Sequence, residues 1–203
     1  MKEMKLILAS ILAAIVCFLW GFASWTVLDW HTNAQHGFHD EQKLAEVLRK
    51  SAQAGHGTYV LPYKQEPLKI APFDEKQAMA DAYTKAYTDG PFVYAVVRPG
   101  KREPNEKLAM AYSFVRAFIG ALILGGVLSL TTIPYLARVG LCAALGLFAG
   151  IAAEVPMWIW FEAPPRDLVV NMVDHVIEWA LGGLVLAAFL GNEGNRHFLA
   201  FPR

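Results

Sequence analysis

The sequence predicts a mainly α-helical membrane protein, with four transmembrane helices and a small α+β extracytoplasmic domain inserted between the first and second. Two observations carry this. Of 203 residues, 55% are hydrophobic and only 18% charged, where soluble domains average about one quarter charged. The charges are also gathered, most of them between Lys43 and Lys107. Outside that block lie four apolar stretches long enough to cross a bilayer core about 30 Å thick, which takes roughly 20 helical residues.

The first stretch runs from Leu6 to about Leu28 without a charge. Lys2 and Lys5 precede it as they would a signal peptide. The apolar run, however, exceeds the usual length of about 7–15 residues, and Trp20, Trp25 and Trp30 follow, so it is read as an anchor. The second span covers about Leu108–Leu130, the third Leu136–Phe161 and the fourth Leu168–Gly191. The organisation is therefore an anchor over 1–29, an extracytoplasmic domain over 30–107, a three-helix bundle over 108–191 and a tail over 192–203. Orientation follows from cationic asymmetry. With the N-terminus inside, the short cytoplasmic segments hold Lys2, Lys5, Arg138, Arg196 and Arg203, and the short external loop holds Arg166 alone. Both termini are expected in the cytoplasm, with Trp25, Trp30, Trp158 and Trp160 forming an aromatic belt at the outer interface.

Within the inserted domain, Asp40–Ala54 reads as a helix, with Asp40 as cap, Leu44, Val47 and Leu48 on one face and Gly55 as terminator. Thr58–Tyr63 is a short strand that Pro62 confines to an edge or an end. Asp74–Thr88 is a second helix, with Asp74 and Gln77 spaced as a capping box. Asp89-Gly90 then turns the chain into the strand Phe92–Arg98. The order α-β-α-β in so few residues implies a thin two-layer domain with a marginal core. Pro99–Lys107 forms the linker back to the membrane.

Composition also excludes function classes. Formal net charge is zero, which leaves no basic field for nucleic acid. Cys17 and Cys142 fall in separate apolar stretches, a pattern for neither a disulfide nor a metal centre; both are read as buried apolar filler. The chain lacks a phosphate-cradling glycine loop, H-E-x-x-H, G-x-S-x-G and C-x-x-C-H. No enzyme activity and no cofactor is implied.

Five ionisable residues inside the last three spans stand out: Arg116, Glu154, Asp174, His175 and Glu178. A charge at the bilayer centre costs about 2.5–3.5 kcal/mol on the insertion scale, so such residues face the bundle interior and pair. At about 1.5 Å per residue, Arg116, Glu154 and Asp174 lie roughly 9–12 Å below the outer boundary, and Glu178 one turn deeper. Arg116 is expected to pair with Glu154 or Asp174. Helical phase agrees with inward orientation. Gly146, Gly150 and Glu154 recur at four-residue spacing, Arg116 shares a face with Gly120, and Asn171, Asp174, Glu178 and Gly182 form one stripe. Gly120, Gly146, Gly150 and Gly182 are thus the candidate close-packing positions. The polar cluster suits a network that fixes helix register; a proton or ion pathway and an outward-opening pocket for a small ligand or lipid headgroup are the functional alternatives.

His175 by itself suits a hydrogen-bonded packing role better than axial ligation of a haem or chlorin metal, for want of a second ligand at its depth. His31, His36 and His39 lie within nine residues and are the candidate metal ligands, with Asp29 or Asp40 assisting. Their spacing fits no standard template, and the rings are expected not to converge.

The stretches WGFASWTVLDWH (20–31), GPFVYAVVRPG (90–100) and WIWFEAPPRDLVVNMVDHVIEW (158–179) resemble a family of small, functionally uncharacterised bacterial inner-membrane proteins. The resemblance covers the layout of anchor, external domain and three helices and implies no activity. Taken together, these features read as a non-catalytic membrane subunit, accessory to or scaffolding a larger complex, with lipid and other membrane subunits as partners. The rival reading is an independent small transport or sensing protein using Arg116, Glu154, Asp174 and Glu178. The topology has a direct check. A reporter active only outside the cytoplasm should work when fused after Lys64 and fail when fused after Arg203; activity at Arg203 overturns the four-span arrangement.

Overall fold

The computed structural model describes residues 2–66 and 70–190. The predicted tail over 192–203, the end of the fourth span at Gly191, and Arg196 and Arg203 lie outside the described residues. In chain order the elements are α1 (Lys2–Thr26), a short 3-10 turn (Thr32–Ala34), α2 (Glu41–Ser51), β1 (Gly57–Leu61), α3 (Phe73–Asp89), β2 (Val93–Val97), α4 (Glu106–Ser129), α5 (Tyr135–Phe161) and α6 (Pro165–Leu190). Four of them, α1, α4, α5 and α6, are long and apolar enough to cross a membrane.

Local chemistry explains where these helices begin. The side chain of Asn105 accepts from the backbone N–H of Leu108, so α4 starts at Glu106, two residues before the apolar run. Pro165 opens α6, as suits a residue with no N–H to leave unsatisfied. α5 continues through Pro156 to Phe161.

Two compact units result: Met1–His36 with Asn105–Arg203, and Gly37–Pro104. The boundary differs from the predicted 30–107. Residues 30–36 belong with the apolar helices because Trp30 and His31 bond back onto α1. At the other end, α4 begins before Lys107.

In the helical unit, α1 packs along α4 and α6, and α5 packs along α6. α4 meets α6 over a shorter stretch. Among the described residues, α4 and α5, though consecutive, do not pack along each other. The interior holds small side chains. On α1, Ala9, Ser10, Ala13, Ala14 and Cys17 are fully buried, whereas Ile7, Leu8, Ile11, Ile15, Leu19 and Phe22 face outward. This distribution suits helices in lipid, where outward-facing Leu and Ile cost nothing and small residues allow close backbone approach.

The predicted packing glycines lie at close helix approaches, as do Gly125 and Gly183, which the sequence reading did not single out. A Cβ at Gly146 would lie 2.5 Å from the backbone oxygen of His175, and one at Gly150 would lie 3.1 Å from Cα of Met172. Gly120 lies against the indole of Trp179, and Gly182 lies 2.7 Å from Sγ of Cys17 by the same measure. Trp179 also packs against both buried clusters, one including Ala121, Leu124 and Leu186 and the other Ala14, Cys17 and Ala117.

The Gly37–Pro104 unit is built differently. β1 and β2 form a two-stranded antiparallel sheet with Gly57 opposite Val97 and Leu61 opposite Val93. The Asp40 side chain caps α2 by accepting from the N–H of Lys43. The capping box at Asp74 does not form. Pro72 is the cap of α3, the helix starts at Phe73, and Gln77 donates instead to Asp81. Asp74 and Glu75 thereby fall in the first turn, where they face the positive end of the helix dipole. Contacts of α2 and of α3 with the sheet are sparse. Ring contacts of Tyr87 with Tyr83 and with Phe92, at 6.1 and 5.6 Å, tie the end of α3 to the start of β2. Among the described residues of this unit only Ala52 and Val97 are buried.

Overpacking the α5–α6 interface gives a prediction. Gly146→Val forces a β-branched side chain against α6 backbone and should cost roughly 1–3 kcal/mol, read as lower thermal stability in detergent. Gly126→Val, where nothing lies within 4 Å of an added Cβ, should leave stability nearly unchanged. Equal effects of the two substitutions would refute the close-packing account.

Candidate functional site

The polar stripe on α6 lies on one helix face, since residues spaced by three and four stack above one another. Each member bonds to a different neighbouring helix. Asn171 donates its side-chain amide to Glu154 of α5 at 3.0 Å. Asp174 accepts two bonds from α1, from the indole of Trp20 at 2.7 Å and the hydroxyl of Ser24 at 2.8 Å. Glu178 accepts from both terminal nitrogens of Arg116 on α4, at 2.6 and 3.3 Å. α6 is therefore the hub through which α1, α4 and α5 are tied together.

The Arg116 pairing corrects the expected one. Arg116 meets Glu178, and neither Glu154 nor Asp174 is its partner. Depth alone favoured the wrong carboxylates. Glu154 sits on α5, which does not pack along α4, and Asp174 is taken up by donors from α1. Glu178 has 6% of its side chain exposed, whereas Arg116 has 54%. The carboxylate is thus the buried partner, and two parallel N–H···O bonds from a planar guanidinium are what such a group requires. His175 adds a third polar group, its Nδ1 lying 3.8 Å from the Glu178 carboxylate.

Around Asp174 the network extends into the loop after α1. His31 is buried, with Nε2 3.1 Å from the Ser24 hydroxyl and 3.5 Å from the second oxygen of Asp174. Its ring stacks on Trp25 with centroids 4.0 Å apart and planes within 3°. The Trp30 indole also donates to the Ser24 hydroxyl, at 3.1 Å. Ser24 has one hydroxyl proton and gives it to Asp174, so it accepts from Trp30 and from a protonated Nε2 of His31. This fixes the tautomer of His31 and folds residues 30–31 onto the helical unit. A metal-binding role for the histidine segment finds no such geometry: among the described residues no group of three or more His, Cys, Asp or Glu side chains is placed to hold an ion. His36 and His39 fall on either side of the boundary between the two units.

The polar stripe of α6, with Trp20, Arg116 and Glu154, lines a cleft of about 850 Å³ within the helical unit. One wall is aromatic, formed on α1 by Phe18, Trp20, Phe22 and Trp25. The other walls carry Glu106 and Arg116 from α4, Glu154 from α5, and Asn171, Asp174, His175 and Glu178 from α6. Every residue of the predicted polar cluster is at this cleft. Trp20, Ser24, Trp30 and His31 were missing from that prediction. Trp20 and Ser24 are one turn apart on α1, a spacing that marks a shared polar face.

Arg138, one of the cations used to orient the chain, is a buried residue. It is 2% exposed, and its guanidinium donates to the carbonyls of Ile133, Leu190 and Thr131 at 2.8, 2.6 and 3.2 Å. The cation satisfies carbonyls where α6 ends and in the loop following α4, where the helix dipole favours positive charge.

The fold and cleft define a mainly helical protein with four helices long and apolar enough to cross a membrane and a polar cleft lined in part by aromatic side chains. Comparison with known proteins finds no match for the chain among family models, curated proteins or solved structures.

The Arg116–Glu178 pair gives a prediction. Arg116→Leu strands a buried carboxylate and should lower thermal stability more than the double substitution Arg116→Leu/Glu178→Gln. A double-mutant cycle should report coupling of about 1–2 kcal/mol, the range of interhelical polar contacts in membranes. Coupling indistinguishable from zero, or equal coupling of Arg116 to Glu154, would show the pair to be energetically idle.

Proposed function

We propose that this chain is a non-catalytic, multi-pass protein of a bacterial-type inner membrane that acts as an accessory or scaffold subunit packed against a larger membrane complex. In this reading both termini are cytoplasmic and residues 30–107 are extracytoplasmic, consistent with the placement of cationic residues. The observation that carries the proposal is the poverty of core in the Gly37–Pro104 unit. Ile70 and Phe73 are 92% and 81% exposed, and Val47, Tyr63 and Val96 are also exposed. Soluble monomers rarely leave apolar groups uncovered in this number, and such surfaces mark association. A unit with two buried side chains gains its order from what it binds.

A second reading, an independent small transport or sensing protein, is favoured by one feature, the aromatic-walled cleft with its carboxylates.

Purification in a mild detergent separates the two. Co-migration with a fixed set of other chains supports the subunit reading, and a lone or homo-oligomeric species defeats it. The paired substitution Ile70→Ser/Phe73→Ser should reduce co-purification about tenfold or more, the effect of removing an interface anchor worth above roughly 1 kcal/mol per residue. The thermal stability of the helical unit should stay unchanged.

A further inference from the structure

The cleft has more anionic than cationic chemistry. Four carboxylates line it, from Glu106, Glu154, Asp174 and Glu178, against the single guanidinium of Arg116. Counting both His175 and the neighbouring His31 as cations still leaves the acids in excess. The acids also differ in how they are satisfied. Glu178 has Arg116, and Asp174 has Trp20, Ser24 and His31. Glu154 has one neutral donor, the Asn171 amide, and among the described residues no basic side chain forms an ion pair with it. It sits half-buried within a helix long and apolar enough to cross a membrane, where an anion without a countercharge is costly.

Across the same cleft stands the aromatic wall of α1. Phe18, Trp20, Phe22 and Trp25 are side chains of the kind that attracts a desolvated cation and also covers a hydrocarbon chain, although one face of Trp25 is taken by the stacked ring of His31. A volume of about 850 Å³ falls within the roughly 300–1,000 Å³ of small-molecule sites. It exceeds what a bare metal ion needs, and the residues present no metal-ligand set.

We infer that the cleft binds an organic cation with an apolar body, its ammonium group set against Glu154 and its apolar portion along the aromatic wall of α1. The ammonium gives Glu154 a direct ion-pair partner, where the His175 side chain that also lines the cleft makes its own close contact with Glu178, and it leaves the Arg116–Glu178 pair and the Asp174 network intact. The same chemistry is offered by two sources, the ammonium headgroup of a phospholipid and a free amphiphilic amine. This inference deepens the second reading above by naming what its cleft holds. Binding without transport leaves the inference standing and removes only the transport part of that reading.

The test is calorimetric titration of the full-length chain in dodecyl maltoside with three probes of equal chain length: hexyltrimethylammonium, hexanol and hexyl sulfate. The cation should bind at least about tenfold more tightly than the alcohol, a difference of 1.4 kcal/mol, and the sulfate should bind most weakly. Glu154→Gln keeps an oxygen for Asn171 and should abolish that preference, and Glu154→Asp should retain part of it. Equal binding of the cation and the alcohol, preference for the sulfate, or an undiminished preference in Glu154→Gln would each overturn the inference. The three-probe comparison on the unsubstituted chain keeps it falsifiable should the variants misfold. The source is assigned by competition. Displacement by phosphatidylethanolamine but not phosphatidylglycerol supports a lipid ammonium, and displacement by neither supports a free amine. Equal displacement by both would contradict selection for a cation.

Discussion

Trp179 fills the space that Gly120 leaves on α4, and the α6 backbone on which it stands lies against Gly146 of α5. An indole is the largest apolar group available, and a tight fit for it between helices requires that facing positions carry no side chain. Both buried clusters of the helical unit include contacts with this ring. Its placement also sets the phase of α6. With Trp179 turned toward the glycines, the preceding residue, Glu178, faces Arg116 on α4, and Asp174, one turn earlier, faces Trp20 and Ser24 on α1. Apolar packing and polar pairing are thus two consequences of one rotational setting.

The polar contacts supply what packing of small residues does not, namely selection of partner. In lipid the outward-facing Ile and Leu side chains gain little by choosing one helix neighbour over another, because hydrocarbon surrounds them either way. Asn171–Glu154, Asp174 with Trp20 and Ser24, and Glu178–Arg116 each specify a different helix. A slipped helix would leave at least one carboxylate without donors in a medium that offers none. Arg138 does related work at the other end of α6, where its guanidinium satisfies the Leu190 carbonyl and the loop carbonyls of Thr131 and Ile133.

The Gly37–Pro104 unit obeys the opposite economy. Its strands pair in a regular antiparallel register, its helices are capped, and its termini join helices long enough to cross a membrane, yet its apolar residues remain on the surface. Local signals suffice to form such elements, but few non-local contacts hold them in one arrangement.

Element identity was legible in the sequence because it rests on local chemistry: apolar runs of bilayer length, the Asp40 cap, Pro62 closing β1, and glycines spaced by four. The ionisable cluster was legible for a similar reason, since a charge in an apolar run is conspicuous wherever the run folds. What the tertiary structure alone decided was partnership. Depth and helical phase placed Arg116 near three carboxylates, but the choice of Glu178 depended on α4 packing beside α1 and α6 and away from α5. Likewise, nothing local distinguishes His31, five residues past the end of α1 at Thr26, from His36 or His39. Its burial follows from the loop folding back onto Ser24 and Asp174, a contact 143 residues long-range in its second partner by the difference of their numbers. The burial of Arg138 was not legible either, because sequence displays the side chain's charge and conceals the carbonyls around it. Pairing between helices is set by which faces pack, and in a bundle that is a property of all the helices at once.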